Sequence, residues 1–261
     1  MFDLIIVKQN IKDILKNPVI LFLLFLELII LLVTIFKLQI VYQDGRITYL
    51  KFFLEYTEGE IETFGYQILV STYGLFSAGI IFLLILQSSA FLPEWLNSSV
   101  LRLQLTRVND RSKLFNSYFA GELVAVFLLL MILGVSLTLV ISIKAGVFFT
   151  LLPVYLCFLI FFTSLSLFSL TLPISVLSRN SLINSLLCLL IYFLLIPSLK
   201  FYFSDSGWAG YLLYLFPPVL RNTRLENLME ETYVVYLLVS IPYILIYLQL
   251  GNYLFKRMEI N

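Results

Sequence analysis

Apolar positions along this chain gather into long blocks at Pro18 to Phe36, Gln67 to Leu92, Leu123 to Ile143, Val147 to Leu177, Leu182 to Leu199 and Tyr233 to Leu254, with the polar residues between them. About 20 mainly apolar residues in helical conformation cross the hydrocarbon core of a bilayer. Each block therefore predicts one transmembrane helix, and the even number places both chain ends on one side. The fourth block is longer than a perpendicular span requires, which predicts tilt, a break near Pro173 or extension beyond the membrane. Ahead of the first block, Leu4, Val7, Ile11, Ile14 and Leu15 recur at helical spacing, with Gln9, Lys12, Asp13 and Lys16 opposite. Residues 1–17 are thus expected to form an amphipathic helix lying in the membrane interface. A residue before proline is pushed out of the α region, so Asn17 and Pro18 predict a bend into the first span.

The segments between the blocks differ in kind. Residues 38–66 are polar and acidic, and read as a short outer loop, either a solvated ectodomain or a helix pair. Residues 200–231 hold Trp208, Tyr211, Leu212, Leu213, Tyr214, Leu215 and Phe216 ahead of Pro217 and Pro218. This run is too short to span and is rich in aromatics that favour the interface, so it reads as an outer re-entrant hairpin before the last span. Residues 93–116 mix leucines with positive charge in an inner connection. A solvated loop has no use for so many leucines, and a short helix that docks on a cytosolic partner is expected there. No repeat period and no linker composition divides the chain, so residues 1–261 read as one domain, an all-α polytopic membrane protein with six transmembrane helices.

Composition agrees with the pattern. Hydrophobic residues make up 61% of the chain and charged residues 13%, where a soluble domain is about 45–50% apolar with roughly a quarter charged. The net charge of +1 carries little information; the placement of the 17 basic residues carries more. With both ends inside, Lys8, Lys12, Lys16, Arg102, Arg107, Arg111, Lys113, Arg179, Lys256 and Arg257 are cytoplasmic, and Lys37, Arg46, Lys51, Lys144, Lys200, Arg221 and Arg224 are outside. The positive-inside rule favours this orientation, in the cytoplasmic (inner) membrane.

Candidate chemistry is sparse. There is no histidine, which removes the common general base and the commonest imidazole metal ligand. Cys157 and Cys188 fall in apolar runs and read as small buried hydrophobes, with no disulfide framework or metal motif. No phosphate-binding loop of the form GxxxxGK[ST] is present, so ATP, if used, is bound with Mg by another polypeptide, and no cofactor is expected in this chain. Ionisable residues inside spans are functional candidates by default. Glu27, near the middle of the first span, is the sharper one, as a possible lining of a translocation path. Glu122, at the start of the third, reads as structural.

The inner connection carries a family likeness. Glu94 follows the second span and Thr106-Arg107-Val108-Asn109-Asp110-Arg111 precedes the third. Together with residues 2–16 as an entrance helix, the hairpin at 200–231 and the closing Phe255-Lys256-Arg257-Met258-Glu259, this resembles the membrane subunits of type 2 ATP-binding-cassette exporters, the ABC-2 permease family. Val108 stands where the family usually has proline, and the glycine usual after the acidic residue is missing. The resemblance implies a dimer of six-helix subunits, from two copies or a copy and a related permease chain, seated on separate nucleotide-binding ATPase subunits. It implies coupling to the ATPase through Glu94, Val100, Leu101, Arg102, Leu103, Leu105, Arg107 and Arg111, and a hydrophobic or lipid-linked substrate. Membrane lipids and a partner on the outer side of the membrane fit the same picture; nucleic acid does not. Two rival readings are a secondary carrier or small-solute binding subunit that depends on Glu27, and a membrane anchor or assembly factor without transport.

Overall fold

A computed structural model describes residues 3–43, 46–52, 55–59, 74–108, 110–146, 151–203, 215–218 and 231–258. In chain order the elements are α1 (Leu4–Ile14), α2 (Pro18–Lys37), strands β1 (Gln39–Gln43), β2 (Arg46–Phe52) and β3 (Glu55–Gly59), then α3 (Gly74–Leu96), α4 (Ser99–Arg107), α5 (Arg111–Ala145), α6 (Leu152–Ser178), α7 (Ser181–Leu189), a π-helical turn at Leu190–Leu195, α8 (Ile196–Phe203) and α9 (Glu231–Arg257). Six helical stretches among the described residues are long and apolar enough to cross a membrane: Pro18–Lys37, Gly79–Leu96, Arg111–Ala145, Pro153–Ser178, Ser181–Leu199 and Leu237–Arg257. The chain is a multi-pass helical membrane protein.

Local chemistry explains most boundaries. Asp3 caps α1, its side chain accepting from the Ile5 N–H at 3.1 Å, and the helix closes with bonds from Lys16 N–H to the Asp13 carbonyl and from Asn17 N–H to that of Ile14. Pro18 then opens α2 at a position where its missing N–H costs nothing, and the helix breaks at residues 15–17 ahead of it. The unusually long helix is the third span, not the fourth. α5 has 35 residues and begins about a dozen residues ahead of its apolar block, while α6 runs unbroken through Pro173. The polar residues at the head of α5 are good enough helix formers to continue inward once other elements cover them, as Ser117 and Gly121 show below. In the fifth span, Ile196 N–H donates to the Ile191 carbonyl, an i→i−5 bond, immediately before Pro197, which has no N–H to continue the α ladder.

The all-α expectation needs one correction. Gln39–Gln43, Arg46–Phe52 and Glu55–Gly59 form an antiparallel sheet in the order β1-β2-β3, with Gln39 opposite Lys51, Gln43 opposite Arg46 and Phe52 opposite Glu55. The helix pair considered for residues 38–66 is absent from these described residues. The physical signal was present: Ile40-Val41-Tyr42 and Ile47-Thr48-Tyr49 are β-branched and aromatic runs, and the sequence between the paired Gln43 and Arg46 is Asp44-Gly45, a strong hairpin dipeptide. Of the hairpin expected over 200–231, only residues 200–203, 215–218 and 231 are described; the rest lies outside the described residues.

Packing divides the chain into two compact units, one of Met1–Asn17, Phe82–Ala125 and Phe162–Asn261, the other of Pro18–Ile81 and Val126–Phe161. In the second unit α2 buries Ile20, Leu23, Glu27, Ile30 and Thr34, one face at alternating three- and four-residue steps, and exposes Phe22, Phe25, Leu28 and Leu32 on the other. There Gly134 of α5 lets α6 approach closely: a Cβ at this position would lie 2.9 Å from the Val154 Cα, the small-residue contact that membrane helices use where no hydrophobic effect drives association.

The first unit is held by an aromatic core and a polar network. Asn184 of α7 donates to the Ser89 carbonyl of α3 at 2.7 Å and to Ser175 Oγ of α6, and Ser89 Oγ and Ser185 Oγ are 2.7 Å apart. Other buried hydroxyls of α6 turn back onto their own helix, Ser169 to the Ser166 carbonyl and Ser175 to that of Thr171, which satisfies them without a partner helix. The second and fourth spans are mostly buried within the chain, whereas only about a fifth of the fifth and sixth is, so among the described residues the last two spans leave most of their apolar surface for lipid or another chain.

Candidate functional site at the head of the third span

Where α3 ends, the backbone is turned by Ser98. Its hydroxyl bonds the Trp95 carbonyl at 2.7 Å and caps α4 by accepting from the Leu101 N–H at 3.3 Å. The expected short helix of the inner connection is therefore present as α4, and residues 93–116 are mostly helical rather than loop. Leu101 is fully buried in the core of this unit, with Leu105 packed against it. Gln104 lies on the same side, and its Oε1 accepts from Trp95 Nε1 at 3.0 Å. Val100 and Leu103 point outward, Leu103 at 65% exposure, with Thr106 and Arg107 also exposed.

Beneath α4 the aromatic rings stack in series. Trp95 lies 3.9 Å from Tyr118 with an interplanar angle of 18°, and Phe91 is 4.9 Å from Tyr118 on its own stack. Phe255 of α9 closes the far side of Trp95 at 5.7 Å and meets Phe115 at 5.3 Å. Such pairs each add about 0.5–1.5 kcal/mol beyond area burial, and Tyr118 also donates to the Phe91 carbonyl at 3.0 Å. The platform that carries α4 is thus well braced.

α1 docks along the head of α5. Asp3 forms an ion pair with Lys113 at 3.5 Å and its N–H donates to Ser117 Oγ at 2.6 Å. One turn on, Gly121 brings the backbones together: a Cβ there would lie 2.9 Å from Asn10 Cβ and 3.1 Å from the Val7 carbonyl oxygen. Lys113, Ser117 and Gly121, at four-residue spacing, meet Asp3, Val7 and Asn10. Only part of the amphipathic face predicted for α1 is used this way. Ile6, Asn10 and Ile14 are buried, whereas Leu4 and Ile5 are 80% and 77% exposed.

The predicted coupling residues fall into separate groups. Glu94 is exposed at the end of α3, and Val100, Leu103 and Arg107 form an outward face. Leu101 and Leu105 anchor α4 inside. Arg111 is tied to the chain's own tail, its Nη1 donating to the carbonyls of Met258 at 2.7 Å and Lys256 at 3.1 Å. The backbone of Arg102 lies in α4. Opposite this end, Arg179 adopts φ 51°, a left-handed conformation rare outside glycine, and its carbonyl accepts from Asn97 Nδ2 at 2.7 Å. That bond fastens the two-residue turn between α6 and α7 to the α3–α4 corner.

Glu27 is buried on the inward face of α2, within electrostatic range of Cys157, and its Oε1 has no hydrogen-bond partner among the described residues. Glu122 is more enclosed than its place near a span end suggested. It is 1% exposed, beside Ser88, with neither carboxyl oxygen in a well-formed hydrogen bond among the described residues. Among the described residues no group of histidine, cysteine or carboxylate side chains is arranged to hold a metal ion. Sequence reasoning missed the Asp3–Lys113 clasp, the Gly121 contact and the Trp95–Gln104 bond; only the Ser98 cap, a serine directly ahead of an amphipathic stretch, had a local signal. No protein-family profile and no curated protein matches this chain.

Proposed function

We propose that this chain is the membrane-spanning permease subunit of an ATP-binding-cassette exporter of the ABC-2 kind, with ATP and Mg bound and hydrolysed by separate nucleotide-binding subunits. The observation that carries the reading is α4. Its buried side fastens it to the ends of two spans, and its outer side offers Val100, Leu103 and Arg107 to whatever lies beyond. A helix so mounted transmits a push from a docked ATPase to α3 and α5 together, biasing the bundle between two arrangements. The protein's own role is mechanical, not catalytic. The apolar surface of the fifth and sixth spans fits a second copy or a related chain, and a hydrophobic or lipid-linked substrate passing between subunits. Both ends lie in the cytoplasm and the protein sits in the cytoplasmic membrane.

The test is purification from native membranes by a tag on this chain, with mass spectrometry of what accompanies it. Recovery of a stoichiometric nucleotide-binding subunit, lost in Leu103→Asp with Arg107→Glu, is the expected result. Arg111 is left out of that pair because its reversal would also untie the tail. For orientation, cysteines replacing Glu58 and Lys256 should label differently with an impermeant reagent on intact cells, the first reacting. A second reading rests on buried Glu27, whose Oε1 has no hydrogen-bond partner among the described residues: a proton-coupled carrier. Recovery of the chain alone, moving solute down a proton gradient in liposomes and inactive as Glu27→Gln, would replace the exporter reading with that one.

A further inference from the structure

α5 and α9 leave a groove of about 360 Å³ between them. Phe119, stacked on Phe168 of α6 at 5.4 Å, lines it from the core side, and Ser112 of α5 bridges to Asn252 of α9 at one end. Both walls change character in the same order. Along α5, Leu123 and Ala120 give way to Asn116; along α9, Leu245 and Leu248 give way to Gln249 and Asn252, with exposed Lys256 one turn further on. Asn252 Oδ1 accepts from Ser112 Oγ at 2.9 Å, which leaves its Nδ2 to donate elsewhere. Asn116 and Gln249 have no side-chain hydrogen bond among the described residues. Three carboxamides with donors to spare therefore line one end of a groove that is otherwise apolar.

A phospholipid presents its groups in that same order, from acyl chain to phosphate. We propose that the groove holds a phospholipid of the surrounding leaflet, with one acyl chain along Ala120, Leu123 and Leu248, the phosphodiester accepting from Asn116, Gln249 and Asn252, and Lys256 facing its negative charge. Depth agrees with this. The apolar block of α5 starts at Leu123 and α9 closes with Lys256 and Arg257, so the carboxamides fall where hydrocarbon gives way to headgroups. A polar side chain turned to lipid at that level is costly unless it is hydrogen-bonded, and a phosphate oxygen accepts from an amide in a charge-assisted bond. The helix of a second copy would answer the leucines, but its backbone groups are spent within the helix. In a two-fold contact the same patch faces itself, and no carboxylate lines this groove to set against Lys256. Such a site needs only a bilayer and is independent of the exporter reading.

The experiment measures retention by native mass spectrometry, and thermal unfolding, on the full chain in detergent with phosphatidylglycerol, diacylglycerol of the same acyl chains, or glycerol phosphate added. Wild type should retain phosphatidylglycerol on the order of tenfold more tightly than diacylglycerol, and Asn116→Ala with Gln249→Ala should remove the preference. Neither side chain is buried, so the lipid-free double variant should unfold at the wild-type temperature, separating loss of binding from loss of fold. Ala120→Phe, which fills the groove and keeps the carboxamides, should weaken both lipids together. Lys256→Gln should weaken the phospholipid alone, and Lys256→Arg should preserve it. Equal retention of the two lipids by wild type, or an undiminished preference in the double variant, overturns the site. Glycerol phosphate binding as tightly as the phospholipid overturns the lipid assignment in favour of a soluble phosphate. A lipid-free dimer that Ala120→Phe dissociates overturns it in favour of a second copy of the chain.

Discussion

α1 and α4 are both short, both lie off the spans, both begin at a side-chain cap, and both bury an amide on the face that meets the protein. They differ in how that face is served. In α4 the amide oxygen of Gln104 accepts from the Trp95 indole beside fully buried Leu101, while its nitrogen, like that of Asn10, has no partner among the described residues. In α1 the fastening lies at the start, through Asp3 to Lys113 and Ser117 and through the close approach at Gly121. The contrast separates a helix anchored by packing along its buried side from one fastened by polar contacts at its start and a close backbone approach.

The largest test of the contrast is Trp95→Ala. It removes the ring between Tyr118 and Phe255 and the donor to Gln104 together, so a loss of about 3–5 kcal/mol is expected, read as earlier thermal unfolding in detergent and faster proteolysis in residues 97–110. Leu101→Ala should follow at about 2–5 kcal/mol for a buried leucine, whereas Leu103→Ala should leave stability within about 0.5 kcal/mol and lower only partner recovery. Equal stability effects from the two leucines would erase the division of α4 into an anchored and an offered face. Gly121→Val should cost about 1–3 kcal/mol by forcing the helices apart, and its signature is local: cysteines replacing Val7 and Ser117 should cross-link in the parent but not in the valine variant. Unchanged cross-linking would mean that α1 is held without the glycine. Smallest is Arg111→Ala, about 1 kcal/mol from two partly solvated bonds to the tail carbonyls, visible as faster removal of the last residues by carboxypeptidase.

The two buried carboxylates show where reading the chain stopped short. Glu27 stands out in a long apolar run, and its enclosure follows from the run itself. Glu122 sits near the head of a span and reads as reaching water, but the docking of α1 against Gly121 and the neighbouring Ser88 encloses this part of α5. Covering by a helix more than a hundred residues away leaves no local trace.

Length and polarity of the apolar blocks by themselves determined that the chain holds six stretches long and apolar enough to cross a membrane, that a helix precedes the first of them and breaks before Pro18, and that a helix lies between the second and third. A bilayer imposes those features residue by residue, because each span must satisfy its own backbone and hide its own charge. The β-signals of residues 39–59 were equally local and were outweighed by the polarity of the segment. Which face of α4 is anchored, which face of α1 docks, and that Arg111 holds the tail were decided only by tertiary structure. Those outcomes depend on close contacts between residues far apart in the chain, where one missing Cβ or one indole N–H selects among faces that helical periodicity leaves nearly equal.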